Sequence, residues 1–157
     1  MNKNAVKGWI EGWESRKQQV YLDSAGHPTI GVGFNLDRAD ASQKIEALGL
    51  DYSAVRDGRV SLNDEQIDQL FDADVDRAIA DARTIVSNFE TIPENKQKVV
   101  VDMVFNLGAA GFSGFHKTIE AIENEKWQTA AQEMRNSRWY GQVGRRAVAD
   151  VEAMAAT

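Results

Sequence analysis

Val6, Trp9, Ile10 and Trp13 recur at i, i+3, i+4 and i+7, the stripe of an amphipathic helix, which predicts a first helix over about Ala5 to Arg16. The pattern then changes period. VYLDS and TIGVGFNL carry β-branched and aromatic residues in short runs separated by Ala25, Gly26, His27 and Pro28, which predicts a small antiparallel sheet. SQKIEALGL reads as a short helix ending at Gly49, and RDGR as a turn. Ser61 or Asn63 is placed to cap the next helix, with Asp64 and Glu65 adding negative charge at its positive end. From there Ile67, Leu70, Phe71, Asp74, Ala78, Ile79, Ala82 and Ile85 hold a mostly apolar face as far as Phe89. A helix of roughly 25 residues spans about 37 Å at about 1.5 Å per residue, enough to connect two lobes. Pro93 suits the first turn of a further helix, and KVVVDMVFNLG, apolar on nearly all sides, is the expected buried centre of a second lobe, stopped by Gly108. GFSGF, HKTIEAIENE, KWQTAAQEMRN and RRAVADVEAMAAT supply short helices broken by Gly111, Gly114, Gly141 and Gly144. Mainly helical α+β is the fold class these elements describe.

Composition narrows the function. An apolar fraction of 43% and a charged fraction of 27% in 157 residues suit one folded domain rather than a disordered chain. No window is long and apolar enough to cross a bilayer, and the opening MNKNAVKGWIEGWE lacks a secretory apolar core, so a protein made in the cytosol without membrane insertion is expected. With no cysteine and only His27 and His116, thiolate metal sites are excluded and zinc has poor raw material. The net charge of −6 is unevenly spread: Asp37 to Glu94 is strongly acidic, whereas Lys126 to Arg146 carries five bases against the single acid Glu133. A nucleic-acid partner is therefore not expected. The acidic run DADVDRAIAD reads as a solvated helix face.

Candidate chemistry gathers at the seam between the first helix and the sheet. At about 100° per residue Glu14 lies roughly 90° from the centre of the apolar stripe and Glu11 about 150° away, so Glu14 borders the buried side and Glu11 belongs in water. A carboxyl group sheltered by Trp13 would hold its proton nearer neutral pH and serve as a general acid. Asp23 and Thr29 flank the predicted hairpin and can converge with Glu14 on one cleft. Glycoside hydrolysis uses such a set: one carboxyl group protonates the leaving oxygen while a second carboxylate directs water at the anomeric carbon or attacks it. Residue spacing alone leaves ordinary turn and strand chemistry for Asp23 and Thr29 equally open.

Glu14, then eight residues, Asp23, five residues and Thr29, followed by IGVG, resembles the catalytic signature of the T-even phage lysozyme family, the phage muramidases. The likeness continues through YLD, Gly26, DMVFNLG, GF..F and SRWYGQ...R, and so covers nearly the whole chain. It implies a two-lobed lysozyme-like fold within a single domain: a sheet-containing lobe at about 14–62, a connecting helix at 63–89, and a helical lobe of 90–157 plus the first helix. The implied activity is inverting hydrolysis of the β-1,4 bond between N-acetylmuramic acid and N-acetylglucosamine in peptidoglycan. Glu14 is then the general acid, Asp23 orients or activates water, and Thr29 holds it. Asn35, Phe105, Asn106 and Thr118 correspond to substrate-binding positions, and Arg146 to an arginine that pairs with the catalytic glutamate, with Arg145 as a competitor for that role. No metal or cofactor is implied. The implied protein is a monomeric endolysin that stays in the host cytoplasm until a holin or delivery device gives it access to the wall in the periplasm.

Three departures from the family pattern matter. Gly33-Phe34-Asn35 stands where many members have Gly-His, so Phe34 is expected to pack. Glu133 replaces a sugar-contacting asparagine, and the acidic net charge weakens attraction to an anionic wall. Trp127 and Trp139 are expected in the core. GFNLDR is also similar to lysozyme-fold toxin domains of the pesticin type, an alternative along with a catalytically silent wall-binding module and a lytic transglycosylase.

Overall fold

Nine α-helices and three short strands follow one another in the computed structural model, which describes residues 1–157. The chain divides into two units, residues 11–74 and residues 1–10 with 75–157. The boundaries fall inside α1 (Lys3–Glu14) and α4 (Asp64–Ile85), so each of these helices contributes to both units.

In the 11–74 unit, Ser15 adopts a left-handed backbone (φ 69°) and ends α1 directly after Glu14, two residues before the expected stop. The chain then enters β1 (Lys17–Leu22), β2 (Pro28–Gly31) and β3 (Phe34–Asn35), an antiparallel sheet in the order β1-β2-β3. Tyr21 pairs with Thr29 and Thr29 with Asn35, so these three residues form one row across all three strands. Residues directly opposite in a ladder share a face, and this register sets the candidate site. Ile30, Val32, Phe34 and Leu36 are buried with Ile45, Val55 and Ile67 from the helices beyond and Leu62 from the loop before α4. Phe34 does pack, with the Arg38 guanidinium 4.3 Å from its ring centre. α2 (Ala41–Ala47) and α3 (Tyr52–Arg56) complete the unit, α2 giving way at Gly49, whose φ is +84°. Of the two candidate caps for α4, Asn63 is used: its Oδ1 accepts from Gln66 N at 2.8 Å while Gln66 Oε1 accepts from Asn63 N at 3.0 Å, a reciprocal capping box.

In the other unit, α4 stops at Ile85 and a separate 3-10 turn, Phe89–Thr91, follows, so the apolar stripe that predicts a helix through Phe89 overruns the helix by four residues. The stripe continues because Phe89 is buried, although its backbone has left the helix. α5 (Glu94–Ser113) carries the buried run Val99, Val100, Val101, Met103 and Val104. Gly108 breaks it with φ 78° and ψ 162°, and one more helical segment follows before Gly114. α6 (His116–Glu123), α7 (Trp127–Arg135), α8 (Arg138–Val143) and α9 (Arg145–Ala155) follow, with α9 packed on α5, α7 and α8 and α6 on α7. Lys96, buried on α5, donates to the carbonyls of Ala153 and Ala156 and so caps the end of α9. No single helix is long and apolar enough to cross a membrane.

Candidate active site

Glu14 is the last residue of α1 and is half-buried, as its helical phase predicts. What shelters it differs from the expectation. Trp13 is 37% exposed and belongs to the surface, because it lies near the end of a short helix whose buried positions are Val6 and Ile10. A glycine makes the close approach instead: a Cβ on Gly33 would overlap Glu14 Oε2 and lie 2.9 Å from Glu14 Cδ. Gly33 also has φ +67°, where an L side chain is strained. The two-residue β2–β3 connection thus brings bare backbone against the carboxyl group. Glu11 is half-exposed rather than fully in water, since its Oε1 accepts from Arg16 Nη2 at 3.1 Å; Arg16 also contacts Asp64 and Asp68 on α4.

Asp23 closes the β1–β2 turn. Its Oδ1 accepts from Ala25 N at 2.9 Å and His27 N at 2.8 Å, and its own N–H donates to His27 O at 2.9 Å. This is the turn chemistry that the sequence alone admits, and it orients the carboxylate at the same time. Both side-chain bonds fall on Oδ1, which leaves Oδ2 as an acceptor for a water. Thr29 is 3% exposed, and its hydroxyl donates to His27 O at 2.9 Å. With its hydrogen committed to that carbonyl, Thr29 Oγ1 keeps lone pairs that accept a further bond. Turn and site roles are therefore compatible in both residues.

Tyr21 is a member of this group that motif spacing does not single out. It stands beside Thr29 in the cross-strand row, and burial, with the Glu14 and Asp23 carboxylates next in effect, holds its phenol above the ordinary tyrosine range. Both carboxylates therefore lie within electrostatic reach of one phenol. The signal available in the sequence is the two-residue offset Tyr21–Asp23, which puts both side chains on one side of β1 extended through its turn. Asn35 lies on the other side of Thr29, where its Oδ1 accepts from Asp37 N at 2.8 Å.

The remaining candidates belong to the helical unit. Thr118 is buried and lines a cavity of about 550 Å³ with Phe115, Glu133, Arg138 and Trp139 among its walls. Phe105 is half-buried, and Asn106 is exposed with its Oδ1 accepting from Trp139 Nε1 at 3.0 Å. Trp139 is in the core as expected, with one edge on the cavity; Trp127 is only half-buried, 5.6 Å from the Lys96 ammonium. Arg146, not Arg145, is the buried arginine of α9. Its Nη2 donates to Asp102 Oδ1 at 2.7 Å, and its Nε lies 3.2 and 3.1 Å from the two oxygens. Asp102 opens the run DMVFNLG without a role in the family resemblance, yet a lone acid within VVVDMVF is itself a signal, because a carboxylate at such a position needs a cationic partner.

A helix ending on a glutamate, a turn aspartate and a strand threonine over a three-stranded sheet describe a lysozyme-like α+β protein. The sequence profile of the family described as "Phage lysozyme" matches residues 11–150, and the chain belongs to that family. It is 28% identical over 151 residues to "Probable T4-type lysozyme 2" of Dictyostelium discoideum, covering 91% of this chain and 89% of that protein. It is also 27% identical over 141 residues to "Pre-baseplate central spike protein Gp5" of Enterobacteria phage T4, covering 85% of this chain but 24% of the phage protein. "Peptidoglycan hydrolase gp36" of Pseudomonas phage phiKMV is 24% identical over 158 residues, 99% of this chain and 16% of its own length.

Proposed function

We propose that the protein is a peptidoglycan-cleaving muramidase that hydrolyses the β-1,4 bond between N-acetylmuramic acid and N-acetylglucosamine with inversion. What supports this reading is that Glu14, set against Gly33, and Asp23 both act electrostatically on Tyr21, the cross-strand neighbour of Thr29, in a chain of the phage lysozyme family. In this reading the Glu14 carboxyl proton passes to the glycosidic oxygen as the bond to the anomeric carbon breaks. A water attacks that carbon from the opposite face. One proton of the water goes to Asp23 Oδ2, and its other hydrogen is held by Thr29 Oγ1, which is an acceptor here because its own hydrogen is on His27 O. Glu14 ends as a carboxylate and Asp23 as an acid, and solvent exchange restores both.

Asn35, Phe105, Asn106 and Thr118 are assigned to the glycan, and Arg146 to the support of Glu14. The protein acts as a monomer that needs no cofactor and reaches the periplasmic wall from the host cytoplasm with help from a holin or delivery device.

Reducing-end release from purified peptidoglycan tests the reading. The wild-type protein is expected to release ends, Glu14→Gln to lose about two to four orders of magnitude of rate, and Glu11→Gln to stay near wild type. Proton NMR should show the α-anomer first. Anhydro-muramoyl ends in the digest would identify a transglycosylase instead, and an inactive wild type would leave a wall-binding module.

A further inference from the structure

Arg146 and Asp150 lie one turn apart on α9, at i and i+4, so both face the same neighbour. That neighbour is Asp102 of α5, which holds the Arg146 guanidinium. Asp102 and Asp150 are both fully buried at 0% exposure. Asp150 Oδ1 accepts from the Trp9 indole N–H at 3.1 Å, whereas Oδ2 has no hydrogen-bond donor although it is sealed from water. Asp150 is within hydrogen-bonding reach of Asp102, and two ionised carboxylates side by side in a buried site repel each other, while an orphaned carboxylate oxygen there is costly.

We propose that Asp150 is a neutral carboxylic acid in the folded protein, donating a hydroxyl on Oδ2 to the Asp102 carboxylate, and that this shared proton makes Asp150 a positioning residue for Arg146. One proton resolves both problems: the orphaned oxygen gains a partner, and the two aspartates carry one negative charge between them instead of two. Trp9, Asp150, Asp102 and Arg146 then form a continuous chain of hydrogen bonds joining α1, α9 and α5. Burial, followed by the hydrogen bond and negative charge of Asp102, pushes Asp150 up to about 10, in line with this arrangement.

Other charged groups stand on each of the surrounding elements. On α5, Lys96 is tied to the Ala153 and Ala156 carbonyls and Lys98 lies 3.9 Å over the Trp9 ring. On α7 and α8, Glu133 is half-buried, while Arg135 and Arg138 are exposed. On α1, Lys7 is half-buried and Lys3 pairs with Asp76; on α9 itself, Arg145 and Glu152 are exposed.

The sign of the pH effect follows. Between the unfolded value of 3.8 and about 10, the folded protein holds a proton that the unfolded chain has released, so stability falls as pH rises through this window. Asp150→Asn reproduces the neutral acid, its amide donating to Asp102 and its oxygen accepting from Trp9, without the titration. The variant should therefore be more stable than wild type at pH 8, and its advantage in folding equilibrium constant should grow by up to about tenfold per pH unit between about pH 5 and 9. Infrared spectroscopy of carbon-13 aspartate-labelled wild type at pH 7 should show a protonated-carboxyl stretch that Asp150→Asn lacks. NMR should show the Arg146 Nε–H slow to exchange in wild type and Asp150→Asn and fast in Asp150→Leu. Absence of the band, or an Asp150→Asn that is less stable by the same factor at every pH, would overturn the neutral acid. Equal Arg146 exchange in Asp150→Leu would overturn the positioning role.

The consequence for catalysis rests on the muramidase reading: kcat should fall by about tenfold in Asp150→Leu with KM within about twofold, and recover in Asp150→Asn. An inactive wild type would count against that reading, while the infrared band and the exchange rates judge the proton and Arg146 by themselves.

Discussion

The two units of this chain handle charge in opposite ways. In residues 11–74 the candidate polar groups are seated by backbone: Ser15 ends the helix at Glu14, Gly33 admits its carboxyl group, and the Ala25 and His27 amides hold Asp23. Arg16, Arg38 and Arg56 make their ion pairs at partly exposed positions. In the helical unit the decisive polar groups are enclosed in an apolar core, where Asp102, Arg146 and Asp150 are buried among valines and methionines. The difference teaches where a substitution will be felt. A carboxylate held by turn amides can lose its charge and keep its geometry, because its partners are neutral. A charge enclosed by hydrocarbon cannot lose its partner without exposing the full desolvation cost of the charge that remains.

The largest expected effect is on stability, in the helical unit. Asp102→Ala removes the buried carboxylate that holds the Arg146 guanidinium and should cost about 3–5 kcal/mol in chemical denaturation. A loss below about 1 kcal/mol would break the contrast between the units. The counterpart in the sheet unit is Asp23→Asn, whose Oδ1 can keep accepting from Ala25 and His27. Thermal melts should place its stability within about 0.5 kcal/mol of wild type, while peptidoglycan cleavage falls by about a hundredfold or more through loss of the base. A large fall in melting temperature would show that the turn depends on the charge.

Gly33→Ala tests whether backbone alone seats Glu14. Adopting φ +67° with a side chain costs about 1–3 kcal/mol. The new methyl group must also displace the Glu14 carboxyl group, and a shift of about 1 Å at a reacting group costs about a hundredfold in rate. Activity surviving intact would mean that Glu14 has room to move without consequence. The smallest effect is a titration. Tyr21 should ionise above the ordinary tyrosine range by ultraviolet absorbance, and Glu14→Gln should bring it part of the way down by removing one of the negative charges that hold it up. No change on that substitution would separate Tyr21 from Glu14 and weaken the case that the acids converge.

Much of this was legible in the chain before folding. The change of period from i, i+3, i+4 to alternation located the seam between α1 and the sheet, and helical phase chose Glu14 over Glu11 for the sheltered position. Spacing and family resemblance named Asp23 and Thr29. The change of period is a sound guide because local backbone geometry fixes the side on which a residue emerges. Periodicity is weaker at ends: Trp13 continues the stripe but is exposed, and Phe89 continues it after the helix has stopped. An apolar residue reports that it is buried, not which backbone carries it there.

What only the tertiary structure decided is which polar groups meet. The row Tyr21–Thr29–Asn35 depends on strand register, and the contact between Gly33 and Glu14 on a turn returning to the end of a helix nineteen residues earlier in the chain. The choice of Arg146 over Arg145, and the partnership of Asp102 with Asp150, depend on α9 presenting one face to α5. Sequence fixes the side of an element on which each group stands; the charge state and task of that group are set by neighbours many residues away, because desolvation and pairing are properties of the packed interior and not of the chain.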